Sequence, residues 1–308
     1  MDDLSDLANL DYVNRVNRAI DHVTRSLGEP LQLDEVARVA CFSPFHFHRI
    51  FRALMGETLH SFVKRVRLER ALYLISHHDG SSLTDIALRC GFTSSSEFSR
   101  SFRSHYGVPP SAFEIERFRR TRRDQMRDAL APDDRDRLER LPVGENPDGF
   151  AVRLRELPAR RMAYVRVLRP YEGDRVRAAT ARMVAWAKQR GLAGGNWFGY
   201  QWEDPEIVPL DRCRYDIGLE IPATATVDRD MNVTVFPALT VAEIDIAGPV
   251  ELELRALDWL YGTWLPRSGY VPDHQPGFEA FDGEPFAHGD EHFELRIQLP
   301  ILAAATPL

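Results

Sequence analysis

The stretch LDEVARVACFSPFHFHRIFRALMGET, residues 33–58, returns as LTDIALRCGFTSSSEFSRSFRSHYGVPP, residues 83–110. Leu33/Leu83, Val36/Ile86, Ala37/Ala87 and Phe42/Phe92 recur at a spacing of 50, and Phe47/Phe98, Arg49/Arg100, Phe51/Phe102 and Gly56/Gly107 at a spacing of 51. The second copy therefore has one extra residue in its turn. Each copy reads as a short helix with its apolar residues on one face, a turn, and a second helix opened by a Ser or Thr cap. Two helices joined in this way are a helix-turn-helix. Ala37 and Ala87 are small enough for a close helix crossing, while Phe47, Ile50, Phe51, Phe98 and Phe102 mark the buried stripe of the second helices.

Between the copies, HSFVKRVRLERALYLIS (His60 to Ser76) has the periodicity of a helix roughly 25 Å long, a rigid spacer between the two units. After Phe113 the chain becomes highly charged as far as Pro142, which reads as a helix tail followed by an exposed linker. Beyond it, strand-like segments (RMAYVRVL, RYDIGLEIP, LTVAEIDIAG, HFELRIQLPIL) alternate with helical ones near Val176 to Arg190 and Glu251 to Leu265. The expectation is a multidomain chain, with an all-α N-terminal domain over 1–120, a charged linker over 121–148 and an α+β domain over 149–308.

Charge supports this division. The chain carries −7 overall, yet residues 30–123 hold 15 Lys and Arg against 9 acids, and residues 124–308 hold 21 against 31. A basic module that meets phosphate is joined to an acidic one that does not. Cys41, Cys90 and Cys213 are too few and too scattered for a disulfide framework or a zinc ribbon. No apolar run approaches the ~20 residues that span a bilayer, and the acidic start lacks a signal peptide's basic and apolar regions. A cytoplasmic protein with no membrane partner is expected. No cofactor or metal is expected either. His46 and His48, two apart on a helix, point to different sides, and His288, Glu291 and His292 lie beside Gly289 in what reads as a solvated loop.

A helix in the major groove reads bases with exposed polar side chains and binds phosphate with flanking basic ones. The first candidate reader offers Ser43 at its cap, then Phe45, His48, Arg49 and Arg52. The second offers Ser95, Ser96, Ser99, Arg100 and Arg103. For one such helix the alternative is an ordinary solvated face, but two copies in register on a basic segment favour double-stranded DNA as the partner.

On these motifs, and on the closing stretch GFTSSSEFSRSFRSHYGVPPSAF, residues 11–117 resemble the DNA-binding domain of the AraC/XylS family of bacterial regulators. The resemblance implies that the second helix of each unit enters successive major-groove segments on one face of promoter DNA. One chain carries both readers, so a monomer suffices for a continuous site, and RNA polymerase becomes a further partner within reach. Ser95, Ser96 and Ser99 depart from the pattern in being short.

In the C-terminal part, Trp197, Tyr200, Trp202, Trp264 and Phe281 accompany Glu279 of PGFEAF. Aromatic faces attract cations, and a desolvated carboxylate adds a larger Coulomb attraction. The set reads either as a pocket for a small aromatic or lipophilic cationic effector or as core. GYQWEDP, RYDIGLEIP, ALTVAEIDIAGP, WLYGTWLPRSGY and GFEAF resemble the GyrI-like effector-binding domain. That resemblance implies two βαββ repeats with a cleft between them and Glu279 inside it. Two rival readings accompany a non-enzymatic sensor: a GyrI-like hydrolase using Glu279, and a protein-interaction module that mimics DNA.

Overall fold

The computed structural model describes residues 3–77, 81–129, 141–227, 231–273, 275–289 and 291–304. The chain divides into two compact units, Met1–Arg117 with Val227–Asn232, and Phe118–Thr226 with Val233–Leu308.

The first unit is helical. Helix α1 (Asp3–Arg25) precedes the first repeat, α2 (Leu33–Val39) and α3 (Pro44–Met55). Helix α4 (Leu59–His77) is the spacer, and α5 (Leu83–Arg89) and α6 (Ser95–Tyr106) form the second repeat. The caps follow from the sequence. Ser43 Oγ accepts the His46 N–H, and Ser94 Oγ accepts the Glu97 N–H while Glu97 reaches back to the Thr93 N–H and hydroxyl, a reciprocal box. Gly56 and Gly107 end the two reader helices in the left-handed conformation that glycine adopts without strain.

Val16, Ile20, Val36, Ala37, Phe47, Phe51 and Phe62 share one buried core across α1 to α4. Spacer α4 packs against α3 on one side and α5 and α6 on another, which is why its buried residues run all round it. Charge on it is neutralised internally: Arg65 bridges Glu57 and Glu69 at 2.6 and 2.9 Å. Arg67 donates to the carbonyls of Leu27 and Glu29 at 3.0 and 2.7 Å. In the second turn, a Cβ on Gly91 would meet Leu27 O at 2.3 Å and Arg67 at 2.8 Å.

The charged stretch expected to be linker from 121 begins as helix: α7 runs from Ile115 to Ala129. Arg119 and Arg123 tie it to the acids of GYQWEDPE, with Arg119 on Asp204 and Glu206 (3.0 and 3.1 Å) and Arg123 on Glu206 (2.9 Å). An amphipathic arginine helix with acidic partners is no longer a solvated tail. Residues 130–140 of the expected linker lie outside the described residues.

The second unit is built on one sheet. Strands β1 (Arg153–Leu157), β2 (Arg160–Leu168), β3 (Trp197–Gln201), β4 (Arg214–Glu220), β5 (Asn232–Phe236), β6 (Leu239–Gly248), β7 (Tyr270–Pro272), β8 (Phe278–Phe281) and β9 (Phe293–Ala303) take the order β1-β6-β9-β8-β3-β4-β2-β5, with β7 also on β9. Helices α8 (Arg175–Gln189) and α9 (Val250–Trp259) follow β2 and β6. The expected two repeats are β2-α8-β3-β4 and β6-α9-β8-β9, the second carrying β7 as an insertion. They join where β3 pairs antiparallel with β8, Gly199 facing Glu279 and Trp197 facing Phe281. Helix α8 packs on β2 and β4, and α9 on β6 and β9.

Candidate functional site

Two sets of side chains stand out, one in each unit. On α3, burial of Phe47 and Phe51 turns Phe45, His48, Arg49 and Arg52 outward on one stripe. Phe45 is 68% exposed, an unusual state for phenylalanine, and the Arg49 guanidinium lies 5.9 Å from its ring centre. On α6, Ser96, Arg100 and Arg103 are exposed, Ser95 and Ser99 are half-buried, and Phe98 and Phe102 face inward. Ser43 is exposed at the cap of α3, where its hydroxyl oxygen is already engaged by a backbone N–H. All ten expected DNA-contacting residues are thus on the two second helices or their caps.

In the C-terminal unit, strand parity divides the expected effector residues. Side chains alternate between the faces of a sheet. Tyr215 donates to Glu279, so the two share one face of the sheet. Trp197 and Phe281, two residues from the facing pair Gly199 and Glu279, share that face. Tyr200 and Trp202 do not, because they differ from Gly199 by odd steps. Tyr200 belongs to a cluster on the opposite face with Met162, Tyr164, Phe198, Phe236 and Phe278, against which Trp202 packs. That cluster already holds a cation. The Arg160 guanidinium carbon sits 4.6–5.9 Å from the ring centres of Phe278, Phe198, Phe236 and Tyr200, and its Nε–H donates to the Tyr200 hydroxyl at 3.2 Å. Burial pushes the Tyr200 phenol up to about 12, against the pull of Arg160. Trp202 donates its indole N–H to Asp216 at 2.7 Å, beside the buried Arg166–Asp216 pair. Trp197 is fully buried and donates to the Ala193 carbonyl, and Trp264 stacks on Tyr270 with ring centres 6.3 Å apart.

Glu279 has neighbours that the aromatic pattern did not indicate. Tyr215 donates its hydroxyl to Oε2 at 2.6 Å, and Gln201 Nε2 approaches Oε1 at 3.5 Å. Space for the Tyr215–Glu279 bond exists because residue 199 is glycine: a Cβ there would lie 1.9 Å from the Tyr215 hydroxyl and 2.3 Å from Glu279 Oε2. Glu253 completes the set from α9. Burial holds its proton well above the usual carboxyl range, and the charge of Glu279 adds to the effect. Burial raises Glu279 as well, opposed by the hydrogen bonds from Tyr215, Glu253 and Gln201. Tyr171 keeps 42% of its surface accessible, yet burial, and then the neighbouring Cys213, Asp204, Glu279 and Glu203, hold its phenol proton far above normal. Glu279 itself is half-buried.

A signal for Glu253 was present in the sequence. It falls with Ala256, Trp259 and Leu260 on the buried stripe that begins at α9, and a carboxyl on such a stripe is an anomaly. Elsewhere, His288 and His292 are exposed and lie 3.8 and 3.6 Å from Glu294. Among the described residues no three His, Cys, Asp or Glu side chains gather as metal ligands, and no helix is long and apolar enough to cross a membrane.

Comparison with known proteins gives two family matches: a helix-turn-helix domain over residues 36–115 and a GyrI-like small molecule binding domain over 150–302. The probable transcription factor PqrA of Proteus vulgaris is 35% identical over 85 residues, covering 28% of this chain and 69% of PqrA. The uncharacterized HTH-type transcriptional regulator YbfP of Bacillus subtilis is 33% identical over 102 residues, 33% of this chain and 34% of YbfP. The chain thus spans about a third of YbfP's length. A transcriptional regulator from Chromobacterium violaceum, described among AraC-type DNA-binding domain-containing proteins, superposes with a TM-score of 0.30 at 28% identity, covering 32% of this chain and 86% of that one.

Proposed function

Because the chain belongs to the AraC-type helix-turn-helix transcriptional regulators and carries a GyrI-like small-molecule-binding domain, we propose that it binds promoter DNA through α3 and α6 and senses an aromatic or lipophilic cation at Glu279. The observation that carries the DNA reading is the repeated, outward stripe on two capped helices. Arg49 and Arg100 occupy equivalent places, and either is able to contact guanine bidentately, an interaction that discriminates by about 1–3 kcal/mol. The ring of Phe45 beneath Arg49 limits the conformations the guanidinium must give up on binding, and its own exposed face suits a thymine methyl. Because α6 offers short serines, α3 carries more of the sequence choice.

At the effector site, the Glu279 carboxylate and the phenols of Tyr215 and Tyr171 suit a cation with an aromatic body. A desolvated carboxylate attracts a charge far more strongly than one in water. Within the unit the ligand meets Glu279 first, with Tyr215 and Tyr171 beside it. RNA polymerase is a further partner of a regulator placed at a promoter, and one chain with two readers acts on a continuous site without a second copy.

The test is footprinting of the full chain on its own upstream region. Arg49→Ala and Arg100→Ala each weaken protection, by roughly tenfold for every 1.4 kcal/mol lost, and Arg49→Ala also relaxes sequence preference. An unchanged footprint and affinity for both variants rejects the two-reader assignment.

A further inference from the structure

Phe45 and Arg49 stand one helical turn apart on the outward stripe of α3. Phe45 is 68% exposed, whereas every other phenylalanine of the chain is buried or half-buried. Its ring is held on two sides, by the Arg49 guanidinium at 5.9 Å and by the His46 ring at 5.7 Å between centres. Helix α3 has no acidic residue, and the nearest acids along the chain, Glu35 and Glu57, lie against His22 and Arg65. The guanidinium is thus steadied by a ring and not claimed by a carboxylate.

Helix α6 supplies the contrast. At the repeat spacing of 51, Arg100 stands where Arg49 does and Ser96 where Phe45 does, and both are exposed. The two readers therefore share an arginine that has a ring beside it in one and only a hydroxyl in the other.

An arginine that takes the O6 and N7 of guanine lies close to the plane of that base. A methyl at C5 of the pyrimidine on the 5′ side of the guanine projects into the major groove beside those atoms, one base step or about 3.4 Å along the axis. A ring centre 5.9 Å from the guanidinium reaches the same methyl at a van der Waals distance of about 4 Å. Ring and guanidinium then hold one methyl between them. Thymine and 5-methylcytosine carry that methyl, and uracil and cytosine lack it. The two methylated bases differ at C4, which has an oxygen in one and an amino group in the other. Neither a phenyl ring nor a guanidinium committed to guanine distinguishes these, and the exposed His48, with one donor and one acceptor nitrogen as a neutral imidazole, serves either.

Building on the two-reader assignment above, we infer that α3 recognises a C5-methylated pyrimidine followed by guanine, accepting thymine and 5-methylcytosine alike, while α6 takes its guanine whatever pyrimidine precedes it. Methylation of a CpG cytosine under α3 thus turns a poorer site into a better one. The DNA-reading unit responds to the methylation state of its site by itself, apart from any small molecule.

The test uses duplexes selected from a random-sequence pool by the full chain. The guanine under α3 is the one whose preference Arg49→Ala abolishes, and the guanine under α6 is the one that answers to Arg100→Ala. At each place the preceding base is varied among thymine, uracil, cytosine and 5-methylcytosine, each with its normal complement, and affinity is read by fluorescence anisotropy at one salt concentration. Under α3, thymine and 5-methylcytosine are expected to bind equally, and uracil and cytosine about fourfold more weakly, the factor that burial of one methyl supplies. Under α6 all four bind equally. Phe45→Ala, a change at an exposed position, brings the methylated bases down to the level of the other two and keeps the preference for guanine. Uracil as good as thymine under α3, 5-methylcytosine as poor as cytosine, the same discrimination under α6, or discrimination that survives Phe45→Ala each overturns the methyl reading and leaves the two readers standing. A selection that yields no guanine dependent on Arg49 overturns the α3 assignment and this inference together.

Discussion

Gly199 shows how much a single position controls. It faces Glu279 across the β3–β8 pair, and its missing side chain is the room in which Tyr215 meets the carboxylate. Gly199→Ala puts a methyl 1.9 Å from the Tyr215 hydroxyl, so either the phenol or the carboxylate must move. Overpacking of this kind costs about 1–3 kcal/mol. The expected outcome is a folded protein with a lowered melting temperature and little or no heat of cation binding. Retention of wild-type affinity in this variant contradicts the placement of the site. As a sequence letter, this glycine reads as one more turn residue in GYQWEDP. Glu279 was recognisable because a lone acid among aromatics is conspicuous, but the parity that sends Tyr200 and Trp202 to the other face depends on which strands pair. Periodicity gives the alternation and not its phase relative to a partner strand.

Among elements, the two helix-turn-helix units invite comparison because they were the most legible part of the chain. Their repeat, caps and C-terminal glycines appear where pattern and cap chemistry predict. Their turns differ, however. Gly91 has φ +84°, and its equivalent in the first unit, Cys41, adopts φ 57° with a side chain attached. Glycine is required at 91 by the closeness of Leu27 and Arg67, whereas Cys41 is exposed and tolerates the left-handed conformation. That conformation costs a residue with a Cβ about 1 kcal/mol or more. Cys41→Gly relieves it at the expense of a more flexible unfolded chain, so the net gain expected in a denaturant melt is about 0.5 kcal/mol. Gly91→Ala is expected to destabilise by several times that amount. The reverse order of the two variants is incompatible with the turn geometry. Helix α7 was less legible. Its arginines look like solvated charge until Asp204 and Glu206 are brought to them by a sheet whose order the sequence does not display.

For the whole molecule, the acid pair makes stability depend on pH. Glu253 holds its proton in the folded chain well above the ordinary carboxyl value of 4.5. Between that value and its raised one, the folded state binds more protons than the unfolded state, so stability falls as pH increases through the window. Glu279, also raised, acts in the same direction. Glu253→Gln keeps the shape of the protonated acid and has no proton to hold. Relative to wild type, its calorimetric melting temperature is expected to improve steadily from pH 4.5 towards neutrality, with the difference smallest at the acid end. A constant difference across that range would falsify the assignment of a retained proton to Glu253.

The pairing of β3 with β8 joins residues about 80 positions apart, and β1 joins β6 at a separation of about 90. Neither repeat has its full complement of strand neighbours until the other has been made. Loop closure over such distances is slow, and topology of this kind lengthens folding times. A ribosome releasing this chain therefore completes the helices of residues 3–117 well before the strands of the second unit can pair. For that interval, the nascent regulator has its DNA-reading helices and lacks the paired strand that carries Glu279.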